Sequence, residues 1–412
     1  MTFAQRPDGI ERIEGEWKNG FLNGEIKANI INTGWIEGYY KDGVPHGFSR
    51  EFGPKSAGKS ILRMVGRHYK GLKRGIWWKG MYDNSGWVVG EVDGKGEFTG
   101  PNIAYIYPDM KMVIRGEFKN EKLVRGQLCQ IIGVDEKNGI KFPVFSEGSG
   151  TVYEYENPTI KNIALHPLLR DPWEDTKVYV KVSNLPQGGE GLFAKKDIEH
   201  REIVALYNGI KIKTCTYASE HMPRSDYRIR LNGDIDMDIP FGYHTIDQYC
   251  ATLAHKANHT FLPNVEWTLY EHPRFGLIRS LTAQKPIKKD EEILVNYQMC
   301  LAKSPEWYRV VWIHHMRKIK RGDDTAIQRY IDRQYELQGY RIPLPDSEEL
   351  NVPDPVGVDL STMPEEYLSE DLLTEEASVK YAKAKAGLSE QEGNEPRITE
   401  IEDEEIELLD PQ

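Results

Sequence analysis

Cysteine is scarce in this sequence of 412 residues. The four cysteines stand at positions 129, 215, 250 and 300, and no two of them form a CxxC pair. Zinc frameworks and disulfide scaffolds need paired or closely spaced cysteines, so the sequence predicts neither of them and no metal site. Scattered free thiols are typical of a reducing compartment, and we therefore expect the protein in the nucleus or the cytosol.

Long apolar runs are also missing. A membrane-spanning helix needs about twenty mostly apolar residues, and no such run exists, so we expect no membrane span. The first residues, MTFAQRPDGIERIEGEW, lack the apolar segment of a secretory signal. The first third of the chain has neither an amphipathic helix nor a dense lysine cluster, which argues against a membrane-surface module. No motif indicates direct binding of nucleic acid.

Charge is divided unevenly along the chain. Residues 346–412 contain 21 acidic and 4 basic residues, whereas residues 1–345 contain 43 acidic and 49 basic ones. A segment with so much net charge and so few aromatic residues cannot bury enough apolar surface to fold, so we predict a disordered acidic tail. Such a tail either keeps the protein soluble or regulates the binding of a basic partner.

Glycine recurs at fixed spacing in the first 126 residues. Steps of five and then four residues separate the glycines of GEWKNGFLNG, GYYKDGVPHG and GRHYKGLKRG, which begin at residues 15, 38 and 66. A fourth copy, from Gly90 to Gly100, has one extra residue, and a fifth, GEFKNEKLVRG from Gly116, has lost the middle glycine. Asn-Gly and Asp-Gly between aromatic and polar residues predict tight hairpins in which glycine supplies a positive φ.

The hairpins must associate, because one hairpin cannot bury its aromatic face alone. Stacking of the copies therefore predicts a continuous twisted sheet over residues 1–150. The aromatic residues expected to stack inside it are Trp17, Tyr39, Tyr40, Tyr69, Trp77, Trp78 and Phe118. The pattern resembles MORN repeats, which implies a scaffold or a surface for partners. No catalytic constellation is visible in this region.

The pattern changes after a joint at 151–176 that is punctuated by prolines. Residues 177–182 alternate as a strand does, and 203–207 read as a second strand. Between them lies a glycine-rich turn, GGEG at 188–191, which lets the backbone approach a ligand closely. This turn does not open a helix, so a Rossmann dinucleotide site is not indicated.

A zinc hydrolase is one interpretation of the HKANH segment, in which His255 and His259 have the spacing of HExxH. The acidic residue that this motif places after the first histidine is Lys256 here, and no third ligand is evident. We therefore expect the two histidines to serve another purpose.

Three segments occur in a fixed order in the second half: GGEGLF at 188–193, NHTFLPNV at 258–265 and EEILVNY at 291–297. Together they resemble the motifs of the SET domain, and LYNG, YCATLAHKANH, HPRFG and PEWY extend the likeness across most of 15–310. The whole resembles the MORN-bearing histone H3 lysine methyltransferases. This resemblance implies a mainly β protein, with a stacked-hairpin sheet over 1–150, a SET domain with a knot-like crossing over 177–300 and helices over 301–345.

The resemblance also implies a chemistry. S-adenosyl-L-methionine would be the methyl donor, and a lysine of histone H3 or another basic protein in the nucleus, on chromosomes, would be the acceptor. Tyr207 and Tyr297 would be catalytic residues in the lysine channel. The cofactor would be bound by Gly189, Glu190, Gly191, Asn258, His259 and Trp307, with Trp307 over the adenine. We expect a monomer.

The sequence departs from the family pattern at several positions. Trp267 and Met299, both expected to line the substrate channel, stand where tyrosines are usual, and Val311 replaces an acid. No CxCxxxxC follows the domain, so a helix predicted over 306–321 would close the channel, followed by a second helix over 325–338. These changes leave two interpretations: an enzyme with its own product and substrate, or a catalytically weakened SET protein that acts as a MORN scaffold.

Overall fold

The computed structural model describes residues 10–30, 34–53, 61–82, 85–156, 158–159, 162–185, 188–213, 225–299, 304 and 306–319. The predicted acidic tail and the second predicted helix lie outside these residues. Strands dominate the described part, so the prediction of a mainly β protein is confirmed. Among the described residues, no helix combines the length and apolar character that crossing a membrane requires.

Twelve strands form one antiparallel sheet at the N-terminal end. From β1 to β11 each strand pairs with the next, and β12 pairs with β10. The strands are β1 (Ile10–Lys18), β2 (Phe21–Ile30), β3 (Gly34–Lys41), β4 (Val44–Phe52), β5 (Leu62–Tyr69), β6 (Leu72–Gly80), β7 (Trp87–Glu91), β8 (Gly100–Ile106), β9 (Met112–Lys119), β10 (Lys122–Lys137), β11 (Ile140–Phe145) and β12 (Ser149–Tyr153).

The hairpin tips have the backbone that the glycine pattern predicts. Asn19 and Gly20 join β1 to β2 with φ values of 51° and 82°, and the tips of the next two hairpins are nearly the same. Two successive positive φ values define the turn whose twist matches paired strands. In the fifth copy, Glu121 stands in place of the missing glycine and keeps a positive φ of 66°.

The repeat aromatics do not form one buried layer. Three of them are buried as predicted: Trp77, Trp78 and Phe118. Three others expose about half of their surface, so the prediction that they stack inside is wrong: Trp17 at 44%, Tyr39 at 45% and Tyr69 at 53%. The first hairpin packs around a small cluster that includes Ile13 and Ile26, and the large cluster shared with the second domain contains no residue of this hairpin among the described residues.

Ten further strands and one helix form the second domain. Six strands lie in the order β13-β14-β22-β20-β21-β15, with β19 added beside β22, and β16-β18-β17 form a small separate sheet. The elements are β13 (Val178–Val182), β14 (Glu190–Ala194), β15 (Ile203–Tyr207), β16 (Ile210–Lys213), β17 (Ile229–Asn232), β18 (Ile235–Asp238), β19 (Asn258–His259), β20 (Val265–His272), β21 (Gly276–Ala283), β22 (Glu292–Val295) and α1 (Glu306–Ile319).

The last strand, β22, is inserted between strands that precede it in the chain. Ile293 pairs with β14 on one side, and Val295 pairs in parallel with His259 of β19 and Val265 of β20 on the other. The knot-like crossing implied by the resemblance stays a prediction, while the insertion itself follows from the strand pairing. It places the NHTFLPNV and EEILVNY segments side by side.

One face of the N-terminal sheet shares a core with the second domain. Trp77 and Phe118 belong to the same buried cluster as Leu206 and Val295. The opposite face carries Trp78, whose indole N–H donates to the carbonyl of Lys141 in β11 at 2.9 Å. The later hairpins are therefore covered on both faces, and the sheet and the second domain form one body.

A buried hydrogen-bond network crosses this interface. The Tyr107 hydroxyl and His272 Nε2 both donate to Asp171 Oδ2, at 2.7 and 2.8 Å. The backbone N–H of Arg274 donates to His272 Nδ1 at 3.0 Å, so the single proton of the neutral ring must lie on Nε2. Arg274 also pairs with Glu156 at 2.6 Å, and both side chains are almost fully buried. The HPRFG motif therefore holds the two parts of the protein together.

Candidate functional site

Three aromatic side chains meet at one end of the larger sheet of the second domain. Tyr207 ends β15, Trp267 lies in β20, and Tyr297 follows β22. The rings of Tyr207 and Trp267 lie edge to face with centroids 5.5 Å apart. The Trp267 indole N–H donates to the carbonyl of Asn296 at 3.1 Å, which fixes the backbone next to Tyr297. The fold thus brings together three residues that the sequence assigned to the lysine channel.

Both tyrosine hydroxyls donate their proton to a backbone carbonyl. Tyr207 donates to Tyr227, and Tyr297 donates to Ala257 at 3.0 Å. Burial, helped by the charge of Asp238, raises the pKa of Tyr207 well above its usual value, and burial likewise raises the pKa of Tyr297. Both phenols therefore stay protonated at neutral pH. Because each gives its proton to a carbonyl, each oxygen keeps its lone pairs for another donor.

His259 is neutral and holds the chain beside Tyr297. Its Nδ1 accepts the backbone N–H of Tyr297 at 3.2 Å, so the ring proton lies on Nε2. Burial lowers the pKa of His259 to about 4, since it disfavours the charged ring. Nε2 is itself buried and has no hydrogen-bond partner among the described residues. This N–H is an unused donor in the predicted cofactor region.

Asn258 ties the glycine-rich turn to β22. Its Nδ2 donates to the backbone carbonyl of Glu190 at 3.1 Å and lies 3.4 Å from Glu292 Oε1. A side chain at Gly191 would bring its Cβ within 2.5 Å of the same carboxylate oxygen, so this glycine is needed for close packing. Gly189 has a positive φ of 62° and open space around it. The turn is thus anchored at 190–191 and open at 189.

Helix α1 closes one side of this group. Trp307, in its first turn, exposes 42% of its surface, and its ring centroid lies 6.1 Å from His259 and 6.3 Å from Tyr297. Tyr308 is buried 4.7 Å from the His259 ring. The helix predicted over 306–321 is therefore confirmed over its described length, and it contacts the site as expected.

The two remaining departures from the family pattern lie near this helix. Met299 is half-buried four residues after β22, and its backbone interacts with the Tyr308 hydroxyl, whose pKa burial raises to about 12. Val311 is half-buried on α1. Both positions border the helix that packs beside Tyr297 and His259.

Two residues of this region were missed by the sequence analysis. Tyr227 supplies the carbonyl that accepts the Tyr207 hydroxyl, and its ring stacks on His244 at 4.4 Å. Lys256 is buried, and its Nζ donates both to Glu190 Oε2 at 2.7 Å and to the carbonyl of His244. Tyr227 lies in no motif, whereas Lys256 was noticed only because it breaks HExxH. The position of Lys256 among mostly apolar residues could have indicated a buried lysine with a charged partner.

The histidines of HKANH contact different side chains. The His255 ring packs near Tyr207 and Tyr249, whereas His259 packs against Phe261 and Tyr308. Burial lowers the pKa of His255 to about 3, so this ring is neutral as well. Within the described ranges, no three His, Cys, Asp or Glu side chains converge as metal ligands do.

Comparison with protein families assigns both halves of the chain. Residues 189–298 match the model of the SET domain. This chain carries a SET domain. Residues 68–142 match the model described as "Histone H3 K4-specific methyltransferase SET7 N-terminal". The SET match contains Tyr207, Trp267, Tyr297, Asn258 and His259, while Trp307 lies beyond it.

One curated relative is the histone-lysine N-methyltransferase SETD7 of Halocynthia roretzi, which is 33% identical over 254 residues. The aligned region covers 59% of this chain and 66% of the relative, so the chain spans just under two thirds of that protein's length. Among solved structures, an active polycomb repressive complex 2 in its basal state is 30% identical over 30% of this chain and 15% of that chain, with a TM-score of 0.24. The Chaetomium thermophilum polycomb repressive complex 2 is 25% identical over 31% and 16%, also with a TM-score of 0.24.

Proposed function

We propose that this protein is a protein-lysine methyltransferase that uses S-adenosyl-L-methionine. The observation that carries the proposal is the meeting of Tyr207, Trp267 and Tyr297 beside the Asn258-His259 strand of a SET domain. The SETD7 relative supports a lysine of a histone, or of another basic protein, as the methyl acceptor. Because histones lie in the nucleus, we propose the nucleus as the location of this protein, with the cytoplasm as a second one.

The aromatic channel prepares the acceptor lysine. A primary amine attacks only when it has lost its proton, and removal from water into an apolar channel lowers the lysine pKa. The hydroxyls of Tyr207 and Tyr297 each donate a hydrogen bond to a carbonyl, so the lone pairs of their oxygens accept N–H bonds from the amine. These bonds orient the amine so that its lone pair is directed away from the tyrosines, and positioning supplies much of the acceleration.

The residues of the predicted cofactor region fit an adenosyl sulfonium. When bound, this group supplies a methyl carbon on a positively charged sulfur, and the lysine nitrogen bonds to that carbon as the carbon–sulfur bond breaks. The buried Nε2–H of His259 lacks a partner and would donate to a polar group of the nucleoside. The exposed face of Trp307 would cover the adenine, and the open turn at Gly189 leaves room for the rest.

Trp267 and Met299 would set the product and the accepted sequence. The indole N–H of Trp267 is committed to Asn296, so this side chain offers bulk and a π face where the family has a hydroxyl. A channel with fewer hydroxyl oxygens holds fewer amine protons in place. We therefore propose that this chain differs from its relatives in methylation state or substrate.

The test measures transfer and binding separately. The full chain is incubated with radiolabelled S-adenosyl-L-methionine, a histone panel and cell extract, and cofactor affinity is measured by calorimetry. Tyr297→Phe removes only the hydroxyl, and we expect transfer to fall by about 10²-fold or more, as loss of a positioning group does, with cofactor affinity nearly unchanged. Tyr179→Phe is the matched control, because its hydroxyl bonds to Asp290 at 2.8 Å away from the channel.

Two outcomes would contradict the proposal. Equal loss in Tyr179→Phe and Tyr297→Phe would show that the loss is structural. If the wild-type chain neither binds the cofactor nor transfers label, the catalytically weakened scaffold becomes the better interpretation.

A further inference from the structure

The tips of the first three hairpins carry a continuous row of exposed apolar side chains. Phe21, Val44 and Leu72 each follow the glycine of a tip, and they expose 57%, 42% and 49% of their surface. The Phe21 ring lies 3.1 Å from where a Cβ on Gly43 would stand, and the Val44 Cβ lies 3.8 Å from that position on Gly71. Phe21 and Val44 therefore each lie against the next tip. We name Phe21, Val44 and Leu72 the tip ladder.

Each residue of the tip ladder has a lysine at the same hairpin tip. Lys18, Lys41 and Lys70 lie at the same three tips and are all exposed. The acid at these tips, Asp42, accepts a hydrogen bond from Asn23 at 3.2 Å. The exposed surface is thus a strip that is apolar along its middle and basic at its side.

The third hairpin extends this basic surface. Residues 61–82 contain six lysines and arginines and no aspartate or glutamate. Some of these charges are balanced by other strands, as in the ion pair of Lys79 with Glu121 at 2.6 Å. Arg67 instead donates to the carbonyl of Asn138 at 2.7 Å, and a carbonyl partner leaves its positive charge uncompensated. A monomeric protein seldom exposes an apolar strip of this kind without an interaction partner.

We propose that the tip ladder and its lysines bind the acidic segment 400–410 of the same chain. This segment, EIEDEEIELLD, contains seven acidic residues, four leucines or isoleucines and no basic residue. Its apolar residues match the ladder and its carboxylates match the lysines. A polyanion without apolar groups, such as polyphosphate, would satisfy the lysines and leave Phe21, Val44 and Leu72 in water.

The chain between the two parts is long enough for this contact. Eighty residues, 320–399, follow Ile319 at the end of α1, and an extended chain covers up to about 3.3 Å per residue, or about 260 Å in all. Ten strand spacings of about 4.8 Å separate β1 from β11, which makes the sheet about 48 Å wide. At physiological ionic strength the attraction between exposed charges reaches about 8 Å, so the contact needs the lysines at close range.

The test uses crosslinking in the full chain. A photoreactive phenylalanine analogue replaces Leu408, the protein is irradiated at low micromolar concentration, and crosslinked peptides are mapped by mass spectrometry. We expect crosslinks to the tips at 17–23, 39–46 and 69–73. A triple variant, Lys18→Glu, Lys41→Glu and Lys70→Glu, should reduce them at least about tenfold, because like charges at an interface repel.

The control reverses three exposed lysines of the SET domain, as Lys196→Glu, Lys285→Glu and Lys289→Glu, which changes the net charge equally. These crosslinks should persist in this variant, and reversing acids of 402–407 to lysine in the Lys→Glu triple variant should restore them. Crosslinks that map elsewhere would overturn the proposal. Mixing heavy- and light-isotope chains is the second check, since crosslinks between chains would mean that the strip binds a second copy. None of these measurements depends on methyl transfer.

Discussion

The first and fifth hairpins carry nearly the same sequence but have different surroundings. GEWKN at 15–19 and GEFKN at 116–120 place an aromatic residue two positions after the first glycine. Trp17 is 44% exposed, whereas Phe118 is 2% exposed. The repeat therefore determines the hairpin, and the neighbouring layers determine what the hairpin buries. Stability in this sheet should follow distance from the SET domain rather than fidelity to the repeat.

The two regions also differ in their ion pairs, one buried and one exposed. Arg274 and Glu156 are almost fully buried at the interface, whereas Lys27 and Glu37 pair at 2.9 Å on the second and third strands, with about half and a third of their side chains exposed. Arg274→Met leaves a buried carboxylate without its partner and should lower the free energy of unfolding by about 3–5 kcal/mol. Lys27→Met should change it by less than about 1 kcal/mol.

Urea unfolding followed by tryptophan fluorescence measures both variants. Glu156→Gln tests the same pair from the other side, because it leaves the buried guanidinium without its counter-charge and should also be strongly destabilising. Equal effects of Arg274→Met and Lys27→Met would mean that the interface does not hold the sheet, and the contrast between the two regions would fail.

Truncation of Phe118 and Trp17 should give a smaller difference in stability between the covered and the uncovered hairpin. Truncation of a buried phenylalanine typically lowers the free energy of unfolding by about 3–5 kcal/mol. We expect Phe118→Ala to lie near the lower end of this range because Phe118 is close to the hairpin tip. Trp17→Ala removes a side chain that is half in water and should cost less than about 1 kcal/mol. Thermal unfolding by circular dichroism would compare them. Similar losses would indicate that another layer covers the first hairpins in solution.

Much of the fold was predictable from local patterns. The strand expected at 203–207 is β15, and the positive φ at the tips follows from Asn-Gly and Asp-Gly. The missing glycine of the fifth copy did not change the turn. The predicted burial of Trp17, Tyr39 and Tyr69 was wrong. Burial depends on packing layers formed by residues far away in the sequence, and the repeat pattern carries no information about them.

In the candidate site, too, some features were predictable from the sequence and others were not. The motifs indicated Tyr207, Tyr297 and the Asn258-His259 pair, and the fold brings them together. The partners of these residues were not predictable, because the carbonyl of Tyr227 that accepts the Tyr207 hydroxyl belongs to a residue outside every motif. Backbone carbonyls are present at every position, so sequence alone cannot say which of them accepts a bond.

The smallest expected effect is a loss of stability at low pH. It involves one histidine from each region, His272 at the interface and His68 in the sheet. Burial lowers the pKa of His272 at the interface, an effect only partly offset by its bond to Asp171. Burial and the charge of Lys73 lower the pKa of His68 in β5 to about 4. Below about pH 6.5 these histidines bind protons in the unfolded chain, whereas in the folded protein they stay neutral to a lower pH. The free energy of unfolding should therefore fall as pH falls from 6.5. Their stabilising contribution is complete above that pH.

Replacement of each histidine identifies the source of the pH dependence. In His272→Gln the slope of unfolding free energy between pH 6.5 and 5 should decrease by up to about 1.4 kcal/mol per pH unit, the value for one proton. His68→Gln should also reduce the slope, because a ring whose folded pKa is about 4 takes up almost no proton between pH 6.5 and 5. Urea titrations at several pH values measure the slope independently of the constant loss that each substitution causes. An unchanged slope in His272→Gln would show that the interface ring accepts a proton as readily in the folded protein as in the unfolded chain, and the buried network would then not distinguish the two regions under acid.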